Sequence, residues 1–543
     1  MTRGIHALVL AAACLAPAAA WGAGPAPLAL TRQRLELPGV PVQSFATDFD
    51  RDGWRDLVVV VASTRWGQTG YDEPAEIDSG GTLVEALTVV PTLFDRRDLL
   101  VYRGRPEGGF AEPPLDLELP DSVHAVEAGP PAAPLVAWTD DGVAEVVAAP
   151  SGGLELAARV RAPTLFAGSR SYLPRLGLVH DLDGDGTPDL LVPLAHGLGV
   201  VLTGADGLPA EPTATLPVPL EERLPGDANL YRDGPVRQVP LPVVQDFDGD
   251  GLPDLAFRNH DRGWNQFRIC FNRGGGRFGP PVDPLAGRAR DAEPEVVWVG
   301  DLDGDGRAEL VTAKQIENGK DSLRAGLAEA KRPRFHLEVH ELGPDGVWDP
   351  APRATLELEG YVFADAGDIP VPTAVRDLDG DGRIDLVAVT LDFSLFEAAR
   401  VMTAKSVKLD LDFAVYRQEP GFVFRRVPGL DLSGQLRLHL DRLALGQLSS
   451  FAGDFDGDGR ADFLQLGRGR AVSVHLGRPG ARYAAAPDLT LELEREPADA
   501  TLVRVADLDG DGRSDLAITE PVGSADVGRR AALDLYLSRG AAP

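Results

Sequence analysis

Asp507-Leu508-Asp509-Gly510-Asp511-Gly512-Arg513-Ser514-Asp515, running into the apolar stretch Leu516-Ala517-Ile518-Thr519, sets the frame in which the whole chain reads. The pattern D-x-D-x-D-G-x-x-D/E followed by a strand-like run occurs seven times, beginning at Asp48, Asp181, Asp246, Asp301, Asp377, Asp454 and Asp507. Its spacing carries chemistry. Carboxylates at positions 1, 3 and 5 turn inward when the backbone curls around an ion, and the glycine at position 6 permits that curl. Position 7 lends a carbonyl and the acid at position 9 closes the shell. Hard oxygen donors throughout select Ca2+ over zinc or copper.

The candidate ligands are therefore Asp48, Asp50, Asp52 and Asp56 in the first copy, and Asp181, Asp183, Asp185 and Asp189 in the second. Asp246, Asp248, Asp250 and Asp254 follow, then Asp301, Asp303, Asp305 and Glu309, where glutamate replaces aspartate. The last three sets are Asp377, Asp379, Asp381 and Asp385; Asp454, Asp456, Asp458 and Asp462; and Asp507, Asp509, Asp511 and Asp515. Up to seven Ca2+ ions are expected. An EF-hand or a dockerin-type loop needs an acid at position 12 and flanking helices. Here that position holds residues such as Val59, Val192 and Ile518, and the run around it alternates like a strand. Metal-free Asp-Gly hairpins are the plain alternative, but four acids in each would repel one another with nothing to offset them.

Aligning the strands rather than the acids exposes an eighth, degenerate unit at about 124–161, with Ala128 and Pro130 in the place of aspartates. Leu135 to Leu190 and Leu255 to Leu310 each span 55 residues, and Phe463 to Leu516 spans 53. A unit of that length holds four short antiparallel strands, and such units close radially. The fold class is accordingly all-β: one β-propeller of four-stranded antiparallel blades, eight by this count, or seven if the unit at 124–161 is an insertion. The final unit ends after a third strand at 532–538, whereas residues 28–37 add a strand too many before the first loop. That N-terminal strand is expected to close the last blade and remove the open edge.

Residues 1–23 read as a secretory signal: Arg3, an apolar run from Ala7 to Leu15, and small residues up to Ala23. The run is too short to span a bilayer, and Cys14 as a lipid-anchoring site is disfavoured by Ala11 three residues before it. Export leaves Cys270 as the sole cysteine of the 24–543 propeller, so with no intrachain disulfide the fold needs a large core or another staple, which metal can supply. A formal net charge of −30 argues against nucleic acid and anionic membranes as partners.

Loop, flanking strands and a Gly-rich hairpin such as Gly274-Gly275-Gly276 together resemble the FG-GAP/VCBS repeat family, related to the integrin α-subunit propeller. The likeness implies metal at loop positions 1, 3, 5 and 9 in seven copies, and none in the 124–134 copy. It implies roles in adhesion, glycan binding and occasionally polysaccharide cleavage, without choosing among them.

Long connections at 65–97, 220–237, 314–333 and 392–411 fall on the face away from the metal loops, where binding surfaces on rigid scaffolds usually sit. Two read as partly helical, at 322–331 and 398–408, the latter behind the capping-box pattern Ser394-Leu395-Phe396-Glu397. Trp66, Tyr71, Tyr231 and Trp264 lie in or beside them, able to stack on a sugar but more simply packing the insertions down. No HExxH or G-x-S-x-G occurs, and His336 and His340 sit too far apart on a strand for one metal. The expectation is a non-catalytic binding or adhesion scaffold for protein or glycan. A polysaccharide lyase or hydrolase on the same propeller is the enzyme alternative, and a structural cell-envelope protein the third.

Overall fold

The computed structural model describes residues 28–63, 96–129, 133–168, 172–173, 176–218, 241–259, 263–286, 294–316, 332–362, 374–392, 406–428, 432–439, 444–467, 469–497, 502–520 and 531–539. The signal-like segment, Trp66, Tyr71, Tyr231 and the stretch 322–331 lie outside them. Every regular element described is a strand, and the strands form eight antiparallel blades.

Blade 1 runs Val40–Thr47, Asp56–Ser63, Arg96–Tyr102 and Leu115–Leu119, strands A to D in chain order. Its B strand shows why the blades stack. Leu57 to Ala62 is a continuous apolar run with no exposed surface, because both faces of the blade are covered. With side chains alternating, Val58 and Val60 pack on Val126 and Leu135 of blade 2. Leu57, Val59 and Val61 pack on Leu533 and Leu535 of blade 8. The core is thus a ring of interblade layers.

Blade 2 comprises Val123–Ala128, Leu135–Thr139, Gly142–Ala148 and Leu154–Arg161. The degenerate unit is a full blade, which removes the seven-blade alternative. Blade 3 follows with Val179–His180, Asp189–Leu194, Gly197–Val201 and Ala214–Leu216. Blade 4 has Val243–Gln245, Asp254–Asn259 and Gly263–Cys270, its fourth position reduced to a single Ile269–Val282 bridge. Trp264 is therefore a strand residue. Blade 5 is Glu295–Gly300, Glu309–Gln315, Arg334–Glu341 and Ala354–Glu359.

Blade 6 (Ala374–Arg376, Asp385–Asp392, Ser406–Glu419, Val423–Arg426) departs from the sequence expectation. Residues 406–408, read as the end of a helix, begin its 14-residue C strand; 398–405 lie outside the described residues. The alternation Leu409, Leu411, Phe413, Val415 outweighs the capping signal, because it buries one face of a sheet. An extra strand, Ser433–His439, pairs with the first half of that C strand and then with Ala444–Gly453 of blade 7. Blades 6 and 7 thereby share one nine-stranded sheet. Blade 7 continues with Asp462–Leu466, Ala471–His475 and Leu489–Glu492.

Blade 8 holds Val503–Ala506, Asp515–Glu520 and Ala531–Arg539. Its outer strand is Ala29–Leu37, paired from Ala29↔Arg539 through Leu37↔Ala531. Leu35 and Leu37 are buried, and Arg32 and Arg34 both bond the Asp534 carboxylate. The terminal strand closes the propeller as its sequence suggests.

Candidate metal centres

All seven Asp-rich loops join strand A to strand B at one end of their blades, and six share one scaffold of side-chain-to-backbone hydrogen bonds; in blade 1 Asp48 accepts from the amides of Asp52 and Gly53 instead. In the blade-5 loop, Asp301 accepts from the amides of Gly304 (2.7 Å) and Gly306 (2.9 Å), and Asp305 accepts from Arg307 N–H at 2.9 Å. The position 2 side chain drops into the core: Leu182, Phe247, Leu302, Leu378 and Phe455 are all buried. Position 9 sits beneath, wholly buried in most loops, and ties the loop to its own blade. Asp385 accepts from Leu378 N–H at 3.2 Å with one oxygen and from Gln418 N–H, near the end of strand C, at 2.8 Å with the other.

This arrangement converges ligand-capable oxygens. Asp48, Asp50 and Asp56 bring one oxygen each within 4.8 Å of one another, as do Asp181, Asp183 and Asp189; Asp301, Asp303 and Glu309; and Asp377, Asp379 and Asp385. In the blade-4 loop the converging set is Asp246, Asp248 and Asp250. Position 5 thus joins the cluster there, and in that loop as in the other four it also accepts from the position 7 amide.

The position 3 oxygens test whether a cation fits. Oδ1 of Asp248, Asp303, Asp379, Asp456 and Asp509 is buried without a hydrogen-bond partner. Such an atom carries a desolvation cost that a cation at the loop centre would offset. Outer oxygens are served from outside: Arg417 bonds Asp379 Oδ2 at 2.5 Å, and Arg539 bonds Asp509 Oδ2 at 2.6 Å. Those two carboxylate side chains are only 2% and 4% exposed. The donor set, all carboxylate oxygen, fits Ca2+.

Protonation points the same way. Burial pushes the position 9 acids up, to about 6 for Asp56 and Asp189. It takes Asp254, Asp385, Asp462 and Asp515 to about 7. Glu309, lacking a backbone donor from strand C, goes to about 8. Asp248, Asp303 and Asp456 are also raised, by burial first and then by their acidic neighbours. Without a cation, these acids hold their protons to higher pH than ordinary carboxylates do.

A cavity of about 380 Å³ opens between blades 5 and 6, lined by Arg332, Glu359, Thr390, Asp412, Tyr416 and Arg426, among others. Arg332 lies 3.4 Å from Glu359 and 3.7 Å from Asp412, all three partly exposed. Sequence reading could not find the cavity, whose walls come from residues some 80 positions apart in two blades. Nearby in blade 5, His336 and His340 lie 3.8 and 3.6 Å from opposite oxygens of Glu338.

A family of FG-GAP-like repeats matches residues 246–312 and 454–518, the loops and strands of blades 4–5 and 7–8. No curated protein matches the chain. Among solved structures it is similar to an Agrocybe aegerita lectin described as recognising non-reducing terminal N-acetylglucosamine: 20% identity over 74% of this chain and 86% of that one, TM-score 0.39. The Tc holotoxin pore of Photorhabdus luminescens aligns at 16% identity over 89% of this chain and 20% of that one, TM-score 0.32. The V. cholerae biofilm matrix protein Bap1 aligns at 12% identity over 90% of this chain and 88% of that one, TM-score 0.22.

Proposed function

We propose that this β-propeller, with FG-GAP-like repeats at residues 246–312 and 454–518, is an exported, calcium-loaded scaffold that holds a protein or glycan ligand on the face away from its metal loops. Residues 1–23 would direct export, and Asp or Glu at positions 1, 3, 5 and 9 would hold up to seven Ca2+. Calcium would supply the charge that lets the acid-rich turns pack together; the propeller supplies rigidity. Among the described residues no helix is long and apolar enough to cross a membrane.

The observation that carries the binding reading is the cavity between blades 5 and 6. Its guanidinium and carboxylate groups pair loosely across open space, and Tyr416 gives an aromatic surface beside them. Hydroxyl-rich ligands are recognised by such groups, because each can exchange a weak ion pair for hydrogen bonds. The same two carboxylates, Glu359 and Asp412, are what a lyase or hydrolase reading would use. Arg332 spans both and all three are partly exposed, an arrangement better suited to holding hydroxyls than to moving a proton.

A glycan array probed with the calcium-loaded protein and with an Arg332→Ala, Tyr416→Ala double variant tests this. Binding that the double variant loses supports the scaffold reading. Cleavage of bound polysaccharide supports the enzyme. No glycan or cell-surface protein retained by either form would leave a structural envelope role.

A further inference from the structure

The metal loops touch one another. Each position 4 glycine abuts the loop of the next blade: a Cβ on Gly304 would lie 2.3 Å from Gly382 O, on Gly380 3.0 Å from Gly459 O, and on Gly249 2.6 Å from Arg307 Cγ. Hydrogen bonds follow the same route. The position 8 amide of one loop donates to the position 2 carbonyl of the loop before it: Ala308 to Phe247 (3.0 Å), Ile384 to Leu302 (2.9 Å), Ala461 to Leu378 (3.1 Å). In blade 8, Ser514 N–H donates to Asp454 O at 2.6 Å, and Arg55 of blade 1 reaches back to Asp507 O at 3.0 Å.

Exceptions follow the same logic. Position 8 of the blade-4 loop is Pro253, which has no amide proton, and Asn272 Nδ2 donates to Leu182 O in its stead at 2.8 Å. The contacts make an arc from blade 3 through blade 8 to blade 1, broken at blade 2, which has no metal loop. At the two ends the constraints lapse. Pro188 occupies position 8 in blade 3 with no loop before it to serve. Arg51 occupies position 4 in blade 1, at φ 60°, where every other copy has glycine.

We propose that calcium binding is positively coupled between neighbouring blades along this arc, through the position 4 glycines and the position 8 donors. This rests on the calcium reading above. A filled loop holds its position 2 carbonyl and position 8 amide in place, and these are what the adjacent loops need when they curl. Part of the neighbour's ordering cost is then already met, which appears as cooperativity. Electrostatics opposes the coupling, since each bound ion reduces the negative charge attracting the next. That opposition is largely screened beyond about 8 Å in physiological salt, whereas the backbone contacts are not.

The test compares Gly304→Ala with Gly306→Ala in the full chain. Both put a side chain on left-handed backbone of the blade-5 loop, at φ +79° and +90°, but only the first meets blade 6; nothing lies within 4 Å of a Cβ at Gly306. Calcium-dependent hydrogen exchange of each loop's peptides, at stepped Ca2+, reads affinity site by site. Gly304→Ala is expected to weaken the blade-6 loop roughly fivefold or more, the scale of ordinary allosteric coupling, and Gly306→Ala to leave it nearly unchanged. Asp303→Asn, which keeps side-chain volume, should weaken both flanking loops, whereas Asp183→Asn at the arc's end should weaken only blade 4. Seven loops filling independently, each variant affecting its own site alone, would overturn the coupling while leaving the calcium reading intact. No protection of any loop by Ca2+ would sink both.

Discussion

Loading the loops with calcium should expel protons, because burial raises the position 9 acids. The position 9 acids stand at about 7 for Asp254, Asp385, Asp462 and Asp515, about 8 for Glu309 and about 6 for Asp56 and Asp189. At pH 7 the first four are each about half protonated, Glu309 about nine-tenths, and the last two about a tenth. A carboxylate must lose its proton to ligate a metal, so filling seven sites releases about three protons per chain at pH 7 and about one at pH 8. Calorimetric titration of Ca2+ in two buffers of different ionisation enthalpy measures this directly, since the heat difference divided by the enthalpy difference is the proton count. Affinity should fall in parallel as pH drops from 8 to 6. Heats at pH 7 that do not depend on the buffer would refute the reasoning: either position 9 is not a ligand or its burial does not raise it.

In excess chelator the pH dependence of stability should invert. Acids raised in the fold above their unfolded range near 4 favour the folded state at low pH, and that contribution is lost as pH rises through 6 to 8. The metal-free protein should therefore melt higher at pH 6 than at pH 8, by scanning calorimetry. At fixed pH 7.5, excess EDTA should lower the melting temperature sharply. Each site held at 100 times its dissociation constant contributes about 2.7 kcal/mol to the folded state. Asp379→Asn should reduce the calcium stoichiometry by one in native mass spectrometry, and should release Arg417 from its 2.5 Å bond. Leu35→Ala in the closing strand, a fully buried position, should cost about 3 kcal/mol in denaturant unfolding. Deleting residues 28–37 should expose the Ala531–Arg539 edge and drive association, visible by size-exclusion chromatography.

Much of the design is local and could be read in one dimension. A nine-residue loop contains its own hydrogen-bond scaffold, so D-x-D-x-D-G-x-x-D dictates a turn whatever surrounds it, and a repeat of some 53–55 residues dictates the blade. The stray strand at 28–37 found its place by counting, because closure leaves one vacancy. Where local signals competed, the sequence misled: the capping pattern before 398–408 lost at its C-terminal end to a strand, because Ser433–His439 arrives from elsewhere to pair with it.

Three things required the tertiary structure. The cavity between blades 5 and 6 is walled by residues that neither blade could bring together alone. The orphaned position 3 oxygens depend on burial by flanking strands and arginines. The contacts between successive loops, which account for Gly at position 4 and its absence at Arg51, exist only once blades lie side by side. What a segment does with its own backbone is set by its residues; what it does to its neighbour depends on distances that only the closed ring of blades determines.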